Sequence, residues 1–188
     1  MTTTLTFSGN DIDGFTAEKM FLTGTMSPSD SSSQLFVYEC GLVDITNFYG
    51  AANECGLAGT ITVYNTTDTT KKTSFVDCFS YQAGSSRPIV DANNTQCNIQ
   101  FRRYSGGLEL RNITSANSNV TVDGDVRLTI HSSCTAGEIV IGAGVDVTAD
   151  NSSGVTVIYN TNIADSLEQA VTQSRIAAAE ATQANQKL

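Results

Sequence analysis

Carboxylates, thiols and a single imidazole are the side chains in this 188-residue chain that could do covalent chemistry or hold a metal. Asp123 with Asp125, and Glu109 with Asp123, are the acid pairs that could flank a glycosidic bond. Such chemistry needs the two carboxyl groups about 5 to 9.5 Å apart on one face. Each Asp beside Gly124 reads first as turn chemistry, because Asp and Gly supply the side-chain hydrogen bonds and the positive φ that turns require. The aromatic residues that would stack on a sugar, Phe101, Tyr104 and Tyr159, are dispersed along the chain. His131 is the only histidine, which excludes a multi-histidine metal site, and it falls at the end of an apolar run as a strand-end residue. The five cysteines, Cys40, Cys55, Cys78, Cys97 and Cys134, include no CxxC pair and no short Cys/His spacing, so they read as free buried thiols rather than zinc ligands.

Other motifs fare no better. Asn10-Asp11-Ile12-Asp13-Gly14 begins like a calcium loop, but Leu22 stands where a bidentate Glu would be needed, leaving a turn. There is no G-x-S-x-G, no phosphate loop and no G-x-G-x-x-G. The sequence therefore assigns no catalytic residue, no cofactor-binding residue and no metal ligand, and the expectation is a non-enzymatic protein without a cofactor.

Charge and composition narrow the partners. A net charge of -9 repels phosphate backbones, and the basic residues are scattered apart from Lys71-Lys72 and Arg102-Arg103, so nucleic acid is not an expected partner. No run of about 18 apolar residues exists, which argues against membrane insertion. The start, MTTTLTFSGNDIDGF, lacks the basic and apolar regions of a secretory signal. Asn-x-Ser/Thr sites at Asn65, Asn93, Asn112, Asn119 and Asn151 are then chance products of an Asn- and Thr-rich chain.

The elements that must position these residues are strands. Period-2 alternation runs through Leu35-Phe-Val-Tyr38, Ile61-Thr-Val-Tyr64, Ile99-Gln-Phe101, Leu108-Glu-Leu110, Val120-Thr-Val122, Val126-Arg-Leu-Thr-Ile130, Ile139-Val-Ile141 and Val155-Thr-Val-Ile158. Gly, Asn, Asp and Ser separate these runs, and no intervening segment is long enough for a crossover helix. An antiparallel sandwich would show the same alternation. A recurring unit of Cys, a short gap, Gly and then alternating apolar residues favours a stack of coils instead; it appears at Cys55, Cys78 and Cys134. The steps from Cys55 to Cys78 to Cys97 to Cys134 lie near one, one and two coils of a solenoid. Stacked coils would align the buried thiols in an interior column. The expected fold is all-β, a right-handed parallel β-helix over residues 33–160, with 1–32 as an N-terminal cap or docking segment.

The tail changes period. Residues 161–188 lack Gly and Pro and are rich in Ala, Glu and Gln, good helix formers. Ile163, Leu167, Ala170, Ser174, Ala177, Ala181, Ala184 and Leu188 alternate steps of four and three, the seam of a coiled coil. A single helix packed back on the domain is the alternative. As a stem, the helix would join copies of the chain, and its Ala-rich seam would depend on the β-helix to hold the copies close.

One resemblance covers about two thirds of the chain. Cys55-Gly-Leu-Ala-Gly-Thr-Ile-Thr-Val63, Phe75-Val-Asp-Cys-Phe-Ser80, Ile99-Gln-Phe-Arg-Arg-Tyr-Ser-Gly-Gly-Leu-Glu-Leu-Arg-Asn112 and Ser133-Cys-Thr-Ala-Gly-Glu-Ile-Val-Ile141 resemble a β-helix module of tailed-bacteriophage virion proteins. The resemblance implies a homotrimeric fibre or spike component of the tail or baseplate, assembled in the bacterial host cytoplasm and held by other virion structural proteins. It carries over no catalytic residue. A capsid decoration or head-fibre role, and a tailspike that binds or cleaves host surface polysaccharide, are the alternatives.

Overall fold

The computed structural model describes residues 3–10, 14–28, 34–64, 72–81 and 86–160. All fifteen strands among them pair in parallel, and they form a β-solenoid of about seven turns with no helix. The stem residues Ile163, Leu167, Ala170, Ser174, Ala177, Ala181, Ala184 and Leu188 lie outside the described residues, as do Asp11 to Asp13.

Two ladders run the length of the stack. The first, ladder A, begins with β1 (Thr4–Asn10), β3 (Phe21–Met26), β5 (Gly41–Phe48) and β7 (Gly56–Val63). It continues through the short β9 (Phe79–Ser80) and β10 (Ile89–Asp91). The second halves of β11 (Asn98–Arg111) and β12 (Asn119–Ile130) follow, and then β14 (Val145–Asp150). Ladder B joins β2 (Thr16–Glu18), β4 (Leu35–Tyr38), β6 (Gly50–Asn53) and β8 (Thr73–Val76) to the first halves of β11 and β12, then β13 (Glu138–Ile141) and β15 (Thr156–Tyr159). The ladder starts at β1, so residues 4–26 already belong to the stack that was expected to begin at 33.

Passage from ladder B to ladder A takes one tight corner in each coil. Lys19, Glu39, Glu54, Asp77 and Arg103 stand at successive corners with φ between 51° and 57°. This left-handed conformation costs a non-glycine residue about 1 to 2 kcal/mol. It keeps the ladder unbroken, because the corner N–H groups donate to the next coil: Glu39 to Asn53 O at 3.0 Å, Glu54 to Val76 O at 3.0 Å and Asp77 to Arg102 O at 2.9 Å. At Arg103 the acceptor is the Asp123 carboxylate, 2.6 Å away. The corner explains why β11 and β12 are single strands of 14 and 12 residues rather than the three to five expected: their pairing runs around the bend.

Alternation sets the core. Inward residues such as Leu22, Leu42, Leu57, Leu108 and Leu128 on ladder A, and Ala52, Phe75, Phe101, Val122 and Ile139 on ladder B, have no exposure. Phe48, Phe75 and Phe101 stack on one another, with ring centroids 5.4 and 5.0 Å apart, and Tyr104 meets Phe101 edge-on at 5.6 Å. Burial raises the Tyr104 hydroxyl well above its ordinary pKa. At the far end the core thins: Val145, Val147, Val155 and Val157 are only partly buried.

All five cysteines are free and buried. They do not share one column. Cys40, Cys55 and Cys78 each follow a ladder B to ladder A corner, and Cys40 N–H donates to Cys55 Sγ at 3.3 Å. Cys97 precedes β11 and Cys134 follows β12, on the opposite side of the coil. The step from Cys78 to Cys97 is therefore not a coil length. True coils range from 15 residues, Cys40 to Cys55, to 29, Thr60 to Ile89. A hydrogen bond with Cys55 and burial both push the Cys78 thiol up, and burial raises Cys97 to about 11, so these thiols stay protonated at neutral pH.

Candidate functional site

Of the acids named from sequence, Asp123 and Glu109 are engaged in the framework, and Asp125 is exposed on β12. Asp123 accepts the Arg103 N–H at the corner, and Arg103 also pairs through Nε with Asp77 at 2.6 Å. The guanidinium holds the Asp77 carboxyl below its usual range. Glu109 sits farther along ladder A from this corner, opposite Thr129 of the next coil. It accepts from Arg111 Nε at 2.6 Å and lies 3.9 Å from Arg87 Nε; Arg87 in turn donates to Thr129.

His131 directly follows β12, at the strand end as expected. Its Nδ1 accepts the Ser133 N–H at 3.1 Å, and Ser133 Oγ accepts the Asn112 N–H at 3.0 Å. The Asn112 amide donates to both oxygens of Asp91, at 2.9 and 2.8 Å, and Asn119 donates to Glu138 at 3.0 Å. These polar side chains pair one coil with the next on the outside of the stack. Among the described residues no three His, Cys, Asp or Glu side chains gather as metal ligands, and no helix is long and apolar enough to cross a membrane.

Aromatic residues that sequence reading overlooked form a recess. Phe21, Phe79 and Tyr81 line a groove of about 270 Å³ at the first corners, with Lys19, Glu39 and Glu54 at its rim. Phe21 meets Tyr81 edge-on at 6.0 Å. Gly41 and Gly56 make the floor, and a Cβ at Gly41 would stand 2.3 Å from the Phe21 ring. Glycine here lets a ring lie against the backbone of the neighbouring coil. Tyr38 reaches the same corner and donates to Glu54 at 2.9 Å, a bond that raises its pKa. A signal existed in the sequence: Phe21, Gly41, Gly56 and Phe79 share one column, but only the register reveals it.

The outer face of ladder B differs from that of ladder A. Register places Thr16, Phe36, Ala51, Ser74, Gln100, Thr121, Val140 and Ile158 in one central column, one residue from each coil, and none is charged. The columns on either side carry Glu18, Arg102 and Glu138. On ladder A the columns through Thr60 and Thr62 lead to Glu109, Asp91 and Arg111.

No family model, no curated protein and no solved structure matches this chain.

Proposed function

We propose that the chain is a structural, non-enzymatic scaffold, the rigid part of a homotrimeric fibre or spike in a tailed-bacteriophage virion, most at home in the tail or baseplate. The single observation that carries the scaffold reading is the unbroken parallel ladder from β1 to β15, with interior side chains stacked coil on coil and outward polar groups engaged in coil-to-coil hydrogen bonds. Such a stack is stiff along its axis, because each coil buries its apolar face only against its neighbours. We take the wind as right-handed, the hand that most parallel crossover connections adopt. The virion setting rests on the sequence resemblance. The trimer rests on the heptad seam from Ile163 to Leu188, which supplies a stem.

Light scattering on the full chain and on a version ending at Asn160 tests this reading. The full chain is expected at three times its 19.9 kDa mass, and the shortened chain as a monomer at micromolar concentration. A monomeric full chain would remove the fibre model.

The groove at Phe21, Phe79 and Tyr81 favours a second reading, in which the scaffold also binds a host glycan. Aromatic faces suit the apolar faces of sugar rings, and rim carboxylates accept hydrogen bonds from hydroxyls. Glu18, Glu39 and Glu54 outnumber Lys19 there, so the ligand is a neutral glycan rather than an acidic one. Saturation-transfer NMR with cellotriose, maltotriose and chitotriose should detect binding to one of them that Tyr81→Ala abolishes. Tyr81 is 59% exposed, so the variant keeps the fold. Absence of transfer from all three sugars, or transfer unchanged by Tyr81→Ala, would reject it.

A further inference from the structure

We propose that the charge-free column on the outer face of ladder B is the surface that copies of this chain turn toward a common axis; the inference rests on the trimer reading and names its interface. Near a rotation axis a residue faces its own copy, so any charge there meets the same charge. In a chain of net charge -9 a self-facing surface must therefore be clear of ionised groups. The column from Phe36 to Ile158 meets that requirement in every coil, whereas its flanking columns and the paired face of ladder A do not. Phe36, beside the Thr16 end, and Ile158 at the other end are apolar and open, 50% and 40% exposed.

The course of the chain points to the same face. The last described strand, β15, lies on ladder B and contains Ile158, so the chain reaches Asn160 on the ladder that carries the column. A stem starting there lies beside the axis to which the column would face.

Size decides how the labour divides. Eight strands at a spacing of about 4.8 Å make a face about 34 Å tall, and four residues at about 3.3 Å make it about 13 Å wide. The resulting area of roughly 450 Å² per copy is about half of the roughly 800 Å² that each partner buries in a stable interface. The face therefore aligns the copies, and the residues beyond Asn160 supply the rest of the affinity.

The experiment uses the full chain with Gln100→Glu and Thr121→Glu together, and Thr46→Glu on the outer face of ladder A as the control. Light scattering and sedimentation should show a wild-type trimer, an unchanged trimer for Thr46→Glu, and at least a tenfold shift of the double variant toward monomer with the wild-type circular dichroism spectrum. A second variant, Thr121→Cys, reads the same face without adding charge. The native thiols are buried, so oxidation should link two of the three chains through the new one. A double variant that stays as trimeric as wild type, or a Thr121→Cys protein that forms no linked pair, overturns this interface while leaving the trimer standing. A monomeric wild-type chain overturns both.

Discussion

Replacing Phe75 with Ala is expected to lower the unfolding free energy by about 3 to 5 kcal/mol, and to split a single denaturant transition into two. Phe75 has no exposure and lies between two rings, 5.4 Å from Phe48 in the coil on one side and 5.0 Å from Phe101 in the coil on the other. The interplanar angles of 24° and 12° make both contacts stacks. Truncation removes the transfer free energy of the ring, leaves a cavity that the rigid ladder closes only in part, and ends two aromatic pairs worth about 0.5 to 1.5 kcal/mol each. Coils couple only to their neighbours, so a weak link in the middle of the stack separates the stability of the two halves. Urea unfolding followed by circular dichroism measures both effects. A variant with the wild-type midpoint would show that the rings are not stacked as described.

Gly124→Ala should cost roughly 3 kcal/mol and open the stack to proteolysis at the corner within β12. Gly124 has φ +117°, outside the range L side chains adopt, and an added Cβ would stand 2.2 Å from Tyr104 O and 2.6 Å from Tyr104 N. Those atoms are backbone of the preceding coil, already bonded within the ladder, so they cannot move aside as a flexible side chain could. The neighbouring corners carry Asp77 and Arg103 at φ near 50°, where a Cβ is tolerated at a small cost. A chain with Gly124→Ala that melts at the wild-type temperature and resists protease equally well would refute the close approach. Gly14 provides the comparison: a Cβ added there has nothing within 4 Å, so Ala meets only the strain of φ +66°.

The two substitutions mark different degrees of legibility. Alternation in Ile99-Gln-Phe101 and Val120-Thr-Val122 determined which side chains point inward, because a strand has period 2 whatever pairs with it. The absence of crossover helices excluded alternating βα architecture, and the recurring unit of Cys, Gly and alternating apolar residues favoured stacked coils over a sandwich. Gly-Asp turns next to Asp123 determined that the acids there would serve the corner, and Asp123 does accept a corner N–H.

Register was beyond reach. Coils of 15 to 29 residues, with shifts in pairing between Phe101 and Tyr104 and between Leu128 and Thr129, break any fixed period. Cysteine spacing consequently misled: Cys40, Cys55 and Cys78 belong to one side of the coil, and Cys97 and Cys134 to the other, although the numerical steps look alike. The same irregularity hid the aromatic groove and the charge-free column, since Phe21 with Phe79, or Phe36 with Ile158, fall into one column only when every intervening coil length is known.

By itself, the sequence determined the strands, their inward faces, the glycine- and acid-rich turns and the heptad pattern of residues 161–188, because each depends on residues close in the chain. Tertiary structure alone decided the corner conformation, the aromatic stack through Phe75 and the outer columns, because each depends on which coil lies above which, and parallel stacking joins residues 15 to 29 positions apart through hydrogen bonds that no local pattern encodes.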